Sequence, residues 1–345
     1  MTSNALTLGE YTISPGERRT LELPVTDLYT HTSLKMPVQV VRGKKHGPTL
    51  FVSAAIHGDE INGVEIVRRI LDYKGLDNIR GTLIAVPIVN VQGFLAQSRY
   101  TPDRRDLNRC FPGSSSGSVA SRLANLFVKE IVMKSDCGID LHTAAIHREN
   151  LPQIRAQMDN PATARLAQIF DAPVIVNTNL RDGSLRQFAD EKGIPILLYE
   201  AGEALRFDES SIRIGTRGVL NVMRELGMLR SQRKKKIAKS VTANSSHWIR
   251  AQSSGILRAA VGLGCSISKG QTLARISDPF GIREEVITAQ FPGILIGRTN
   301  LPLANEGDAL FHVARFEGNN EPMESIETSD TESTEWGMPM TNPIM

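Results

Sequence analysis

The feature that most constrains this chain is a set of short apolar runs alternating with stretches of helical period. Leu50–Ile56, Thr82–Val89, Cys137–Leu141, Ala172–Asn177 and Ile194–Glu200 are the runs. Continuous rather than alternating apolarity, bounded by helices, reads as strands buried on both faces of a sheet. Three helices can be read directly. Ile61, Val64, Val67 and Leu71 share one face, and Leu123, Phe127 and Ile131 share another. The third carries Ile212, Gly215, Val219, Val222 and Leu226 and is stopped by Gly227. The expected architecture is an α/β layer fold. Before it, Arg19–Val25 and Met36–Val41 read as extended segments between polar turns.

The pattern breaks at Leu229–Ser246, which is basic and then polar. Beyond it, strand-like pieces recur between glycines and no helical period appears, so a small all-β domain is expected. The expected division is a catalytic domain over 1–230, a basic linker over 231–245, the β domain over 246–316 and a tail over 317–345. That tail holds seven acids between Glu317 and Glu335 and no Lys or Arg, a composition expected to be disordered.

Composition excludes several function classes. The net charge is +3 with 5% aromatic residues, and the dense positive run Arg230 to Lys236 has no aromatics interleaved. It reads as a solvated linker face, so no nucleic-acid partner is expected. No apolar run approaches the roughly 20 residues of a spanning helix, so no membrane partner is expected. The first sixteen residues lack a basic start and an apolar core, and the three cysteines are scattered. A cytoplasmic enzyme is the expectation.

Two of the seven histidines sit where chemistry would want them. His57 follows the Leu50–Ile56 run, at the carboxyl end of a buried strand, where open α/β sheets build their sites. Glu60 follows at i+3, expected in the first turn of the next helix, and Gly58 between them would let the backbone turn tightly. His142 directly follows a second short strand. Two histidines and one carboxylate make the ligand set of a catalytic zinc site with an open position. Alone, a His-x-x-Glu is common, and a turn histidine beside a helix-starting acid is then the better explanation. His31, His46, His247 and His312 read as surface or packing residues; for His147 a substrate contact stays open. Between the two halves of the set lies Arg99-Tyr100-Thr101-Pro102-Asp103-Arg104-Arg105-Asp106-Leu107-Asn108-Arg109. Its arginines suit a carboxylate, and its aspartates suit pairing within the loop; both are expected. Glu200 ends another apolar run and is either a general base or a solvent-facing acid.

Taken together these pieces resemble the succinylglutamate desuccinylase and aspartoacylase family, a branch of the zinc carboxypeptidase-like enzymes. The resemblance is carried by His57-Gly58-Asp59-Glu60-Ile61-Asn62-Gly63, Arg99-Tyr100, Asp106-Leu107-Asn108-Arg109, Asp140-Leu141-His142-Thr143 and Tyr199-Glu200-Ala201-Gly202. It implies a three-layer α/β/α sandwich around a mixed sheet, followed by a smaller β domain. It implies one zinc ion per chain on His57, Glu60 and His142, with Glu200 as the general base. Arg99 would polarise the scissile carbonyl, and Asn108 with Arg109 would hold a substrate carboxylate. The activity implied is hydrolysis of the amide bond of a small N-acyl amino acid. A peptide carboxypeptidase and a non-catalytic binding module on the same fold are the alternatives, and a homo-oligomer is compatible with either. The β domain is also similar to biotinyl and lipoyl carriers, but its turn reads Asp278-Pro279-Phe280-Gly281 and lacks their lysine. Capping the site, restricting substrate size or pairing subunits is expected of it instead.

Overall fold

The computed structural model describes residues 5–231 and 240–316. The lysines of the basic run and the acidic stretch from Glu317 onward lie outside the described residues. The fold is a mixed sheet between helical layers. From one edge its strands run Arg18–Asp27, Ser33–Arg42, Arg80–Val86, Lys45–Ala54, Cys137–Ala144, Ile196–Glu203 and Arg148–Ala156. The four strands from Arg80–Val86 to Ile196–Glu203 are mutually parallel, and their immediate neighbours Ser33–Arg42 and Arg148–Ala156 are antiparallel to them.

The continuous apolar runs have the expected physical origin. Leu50, Val52 and Ala54 face a core shared with helices Asn62–Leu71, Pro161–Phe170 and Glu209–Glu225. Phe51, between them, points to the opposite face, where Val119–Glu130 and Leu185–Glu191 pack. There it meets Phe127 edge-to-face at 5.8 Å. Each such side chain, fully buried, contributes about 1.5–3 kcal/mol, so neither face tolerates a polar residue without a partner.

Two helices on these faces, Pro161–Phe170 and Leu185–Glu191, escaped the periodicity reading. The first carries a legible start: Asn160 caps it by accepting from Ala162 and Thr163 N–H, and Pro161 takes the first turn. The second has only seven residues, too few for a period to register. The first predicted helix also buries a shifted face, with Ile66, Val67 and Ile70 innermost and Val64 and Leu71 at the margin.

The C-terminal segment is strand-rich, and its relation to the main sheet depends on tertiary pairing. Gln153–Ala156 pairs in parallel with Val174–Asn177, leaving the start of the same strand open. Arg148, Glu149 and Asn150 are taken instead by Thr299, Arg298 and Gly297. Strands Gly293–Thr299, Ala309–Arg315 and Ser245–Arg250 thereby extend the catalytic sheet. The physical reason is that unpaired strand N–H and C=O groups need partners, and the returning chain supplies them. A separate four-stranded sheet, Glu284–Thr288, Thr272–Ser277, Gly255–Ala259 and Leu303–Ala304, closes the core over these strands.

His312 lies in this extension, 4% exposed and stacked on Trp248 with ring centroids 4.6 Å apart. Burial, then the charges of Arg155, His247 and Arg181, lower its pKa to about 3. The folded state therefore holds it neutral while the unfolded chain protonates it below about pH 6.5. Its contribution to stability is full above that pH and falls as the pH drops towards 3. The loss expected by pH 4.5 is about 2–3 kcal/mol. Urea unfolding of wild type and His312→Asn across this window should show a steeper acid slope for the wild type; parallel slopes would mean that His312 charges freely in the fold.

Candidate metal and substrate site

The site is built at the carboxyl ends of the parallel strands. After Lys45–Ala54 the chain turns through His57–Glu60, where Glu60 N–H donates to His57 O at 3.1 Å. Glu60 is not in the first helical turn as expected; the helix starts at Asn62 and Glu60 precedes its N-cap residue, Ile61. Gly58 is also needed for a different reason than turning. Its φ is not positive, and a Cβ there would lie 2.0 Å from Gly93 C and 2.2 Å from Phe94 N. The backbone of another segment crosses where a side chain would sit. Gly58→Ala is expected to destabilise the fold by about 1–3 kcal/mol, read by thermal unfolding; an unchanged midpoint would mean that the crossing segment yields freely. Asn62 completes the turn by donating to Ala201 O at 3.1 Å and accepting from Asp208 N–H at 3.0 Å. It ties this turn to the strand end that carries Glu200.

His57, Glu60 and His142 come together, all buried. The Nδ1 atoms of the two histidines face each other at 3.2 Å. Glu60 spans them, with Oε1 2.7 Å from His57 Nδ1 and Oε2 2.7 Å from His142 Nδ1. The outer ring nitrogens each meet a carboxylate: His57 Nε2 lies 3.0 Å from Asp106 Oδ1, and His142 Nε2 lies 2.7 Å from Asp140 Oδ2. Ser53 Oγ donates to the other oxygen of Asp140 at 2.9 Å. A carboxylate on each Nε2 assigns the ring proton there and turns both Nδ1 lone pairs inward.

Electrostatics follow from this packing. Burial works against charge on Glu60, but the two imidazoles outweigh it and hold its carboxyl well below the usual range. Burial likewise opposes the imidazolium of His57 and His142, and facing carboxylates more than compensate, so both pKa values are raised. Asp59, next to Glu60, is pushed up by burial and then by the Glu60 charge. The arrangement fits a divalent metal. Two nitrogens each about 2.0–2.1 Å from a tetrahedral zinc stand roughly 3.3–3.4 Å apart, close to the Nδ1 separation found. Protons and such an ion would compete for the same lone pairs.

The remaining sequence-predicted residues are placed around this centre. Glu200 is the register partner of His142 on the adjacent parallel strand, so both side chains leave the same face of the sheet. Asn150 Nδ2 donates to its Oε2 at 2.6 Å and Arg155 Nε lies 3.2 Å from its Oε1. It does not face solvent as a bare strand-end acid. Arg99 donates to Glu60 Oε1 at 3.0 Å and to Asp106 Oδ2 at 3.1 Å. Asn108 is buried, its Oδ1 accepting from Leu185 N–H at 3.0 Å, and Arg109 beside it is exposed. His147 is in a turn on the rim, its N–H donating to Glu203 at 2.9 Å.

Sequence reading missed the partners that hold these groups. Asp140 could have been found, since it stands at i−2 from His142 on one strand and so shares its face. Asp106 was read as an intra-loop partner of arginine; its bond to His57 spans 49 residues and has no local signal. Asn150 and Arg155 come from an antiparallel neighbour of the Glu200 strand, equally invisible to spacing. Arg186 also reaches this region, its pKa lowered to about 10 by burial and then by Arg155.

Known proteins share this layout. The model of the succinylglutamate desuccinylase/aspartoacylase catalytic domain matches residues 46–226, more than half of the 345 residues. An N-alpha-acetyl-L-2,4-diaminobutyric acid deacetylase of Halomonas elongata is 27% identical over 308 residues, covering 85% of this chain and 90% of that protein. A succinylglutamate desuccinylase of Photorhabdus laumondii is 28% identical over 196 residues, covering 51% of this chain and 59% of its own length. Among solved structures, the product-bound ectoine utilization protein EutE (DoeB) of Ruegeria pomeroyi superposes with a TM-score of 0.80. It is 24% identical, and the match covers 91% of this chain and 100% of that one. The matched region contains His57, Glu60, His142 and Glu200, and the chain belongs to the succinylglutamate desuccinylase/aspartoacylase family.

Proposed function

We propose that this protein is a zinc-dependent amidohydrolase that removes the acyl group from a small N-acyl amino acid, with one zinc ion per chain on His57, Glu60 and His142. The observation that carries the proposal is the convergence of two Nδ1 atoms and a buried carboxylate, each imidazole backed by its own aspartate. Membership of a deacylase family supplies the reaction class, and the Halomonas and Photorhabdus relatives supply the substrate class.

When bound, zinc supplies Lewis acidity, polarising a carbonyl and making water acidic near neutral pH. The protein's own residues do the rest. Glu200 takes a proton from the attacking water as its oxygen adds to the amide carbon. Glu200 then returns that proton to the nitrogen as the C–N bond breaks, releasing a carboxylic acid and a free amine. Its register with His142 supports this role, and Asn150 takes only one of the carboxylate's roughly four lone-pair directions, with Arg155 beside it as an ion-pair partner. Arg99 faces the oxygen that gains charge, and Asn108 with Arg109 holds the substrate carboxylate. We assign this chemistry to residues 1–230, with 231–245 as the linker and the 246–316 strands as the wall that limits substrate size. Among the described residues no helix is long and apolar enough to cross a membrane.

The test is amine release from N-alpha-acetyl-L-2,4-diaminobutyrate, N-succinylglutamate, N-acetylaspartate and a peptide mixture, before and after chelator treatment. Turnover of an acyl amino acid that chelator abolishes and zinc restores is expected. Release from peptides alone would move the assignment to a carboxypeptidase, and no release from any of them would leave a binding module.

A further inference from the structure

We propose that Asn150 is a positioning residue for the general base, and that Gly297 of the C-terminal strands keeps open the slot in which Asn150 lies. The inference rests on the deacylase reading, in which Glu200 moves the proton, and adds two residues to it. Asn150 is buried, and its Nδ2 donates to Glu200 Oε2 at 2.6 Å. Beside the other carboxylate oxygen, Arg155 Nε lies 3.2 Å from Oε1. A break in strand register brings Asn150 to this place. Glu200 is opposite Gln153 and Gly202 is opposite Asn150, so three residue steps on one strand meet two on the other. Side chains alternate between the faces of a sheet. Without the extra residue Asn150 would therefore leave the face opposite to that of Glu200.

Gly297 is the register partner of Asn150 on the next strand. Its φ is not positive, so its backbone does not require glycine. Space requires it instead. A Cβ there would lie 2.8 Å from Asn150 Oδ1, 3.2 Å from His312 Cβ and 3.5 Å from Glu149 O. The shortest of these falls on the end of a side chain, which can yield by rotating to another staggered position. An added methyl would therefore displace the Asn150 amide and spare the backbone. Gly58 differs, because there the conflict is with crossing backbone that cannot turn aside. Once Asn150 has moved, only Arg155 holds the carboxylate, from one side, and Glu200 loses its aim. The C-terminal strands thus act on the proton transfer through a side chain that they lack.

The experiment measures kcat, KM and thermal unfolding for full-length wild type, Asn150→Ala, Gly297→Ala and the double variant, and adds a crystal structure of Gly297→Ala. The substrate is the N-acyl amino acid that wild type turns over fastest. Each single variant is expected to lose about 100-fold in kcat, the usual cost of misplacing a reacting group by about 1 Å. KM should stay within about twofold, because only the transition state feels the aim of the base. The thermal midpoint of Gly297→Ala is expected within about 4 °C of wild type. The double variant should be no slower than Asn150→Ala, since the methyl then has no amide to displace. In the crystal, Asn150 Nδ2 should have left Glu200. Wild-type kcat in either single variant would overturn the proposal, as would additive losses in the double variant or an effect on KM alone. A Gly297→Ala crystal in which the bond from Asn150 to Glu200 persists would also overturn it. A Gly297→Ala chain that does not fold would overturn the part assigned to Gly297, and Asn150→Ala would still decide the part assigned to Asn150. Absence of turnover in the wild type would count against the deacylase reading itself, while the crystal structure would still decide whether Gly297 keeps the slot open.

Discussion

Glu200→Gln is expected to keep the fold and the bound metal while losing about 100- to 10,000-fold in kcat, the usual worth of a positioned general base. The substitution conserves shape, so the strand Ile196–Glu203 and its pairing with Cys137–Ala144 should persist. Arg155 can still meet the remaining carbonyl oxygen, and Asn150 can turn its amide to face the new N–H group. None of the metal-facing atoms changes, because Glu200 is not in the His57, Glu60, His142 group. KM should therefore stay within a few-fold, since only the proton transfer has been removed. Steady-state kinetics on the best substrate of the panel, with metal analysis of the same sample, checks this. Near-normal kcat would remove Glu200 from the base role, and lost metal would make it part of the metal site instead.

His142→Ala should remove the metal altogether. The variant leaves Glu60 and Asp140 facing a cavity without the imidazole that neutralises both, and only one nitrogen donor remains. A site reduced to two ligands no longer encloses the ion. Elemental analysis is expected to give about one zinc per wild-type chain and close to none in the variant, with activity lost in parallel. Far-ultraviolet circular dichroism should stay native, because the strand Cys137–Ala144 is paired on both sides by backbone bonds. A wild type that takes up no zinc, even when it is supplied, would end the hydrolase proposal. A variant that keeps its zinc would place the ion elsewhere.

Much of the site was legible because its ligands follow buried strands. An uninterrupted apolar run marks a strand enclosed on both faces, and the first polar residues beyond it must lie at the sheet's edge. His57 obeys this rule, whereas His142 and Glu200 lie inside their strands, just after the apolar runs and near the carboxyl ends. The loop with Asn108 and Arg109 was legible only as a concentration of charge. That Asp106 serves histidine as well as arginine depends on a distance between segments far apart in the chain. Gly58 is a similar case, since a glycine required by a crossing backbone looks in sequence like a glycine required by a turn.

By itself the sequence determined the α/β class, five buried strands and three of the helices, the strand ends near which His57, Glu60, His142 and Glu200 lie, and the strand-rich end of the chain. These are local properties: period, run length and capping act over a few residues. Tertiary structure alone decided that Asp106 backs the imidazole of His57 and that Asn150 and Arg155 meet Glu200. It also decided that Gly297–Thr299 continues the catalytic sheet. Each of these is a pairing between an unsatisfied donor and an acceptor many residues away. Burial makes such pairing obligatory, but only the packed fold says which partner is within reach.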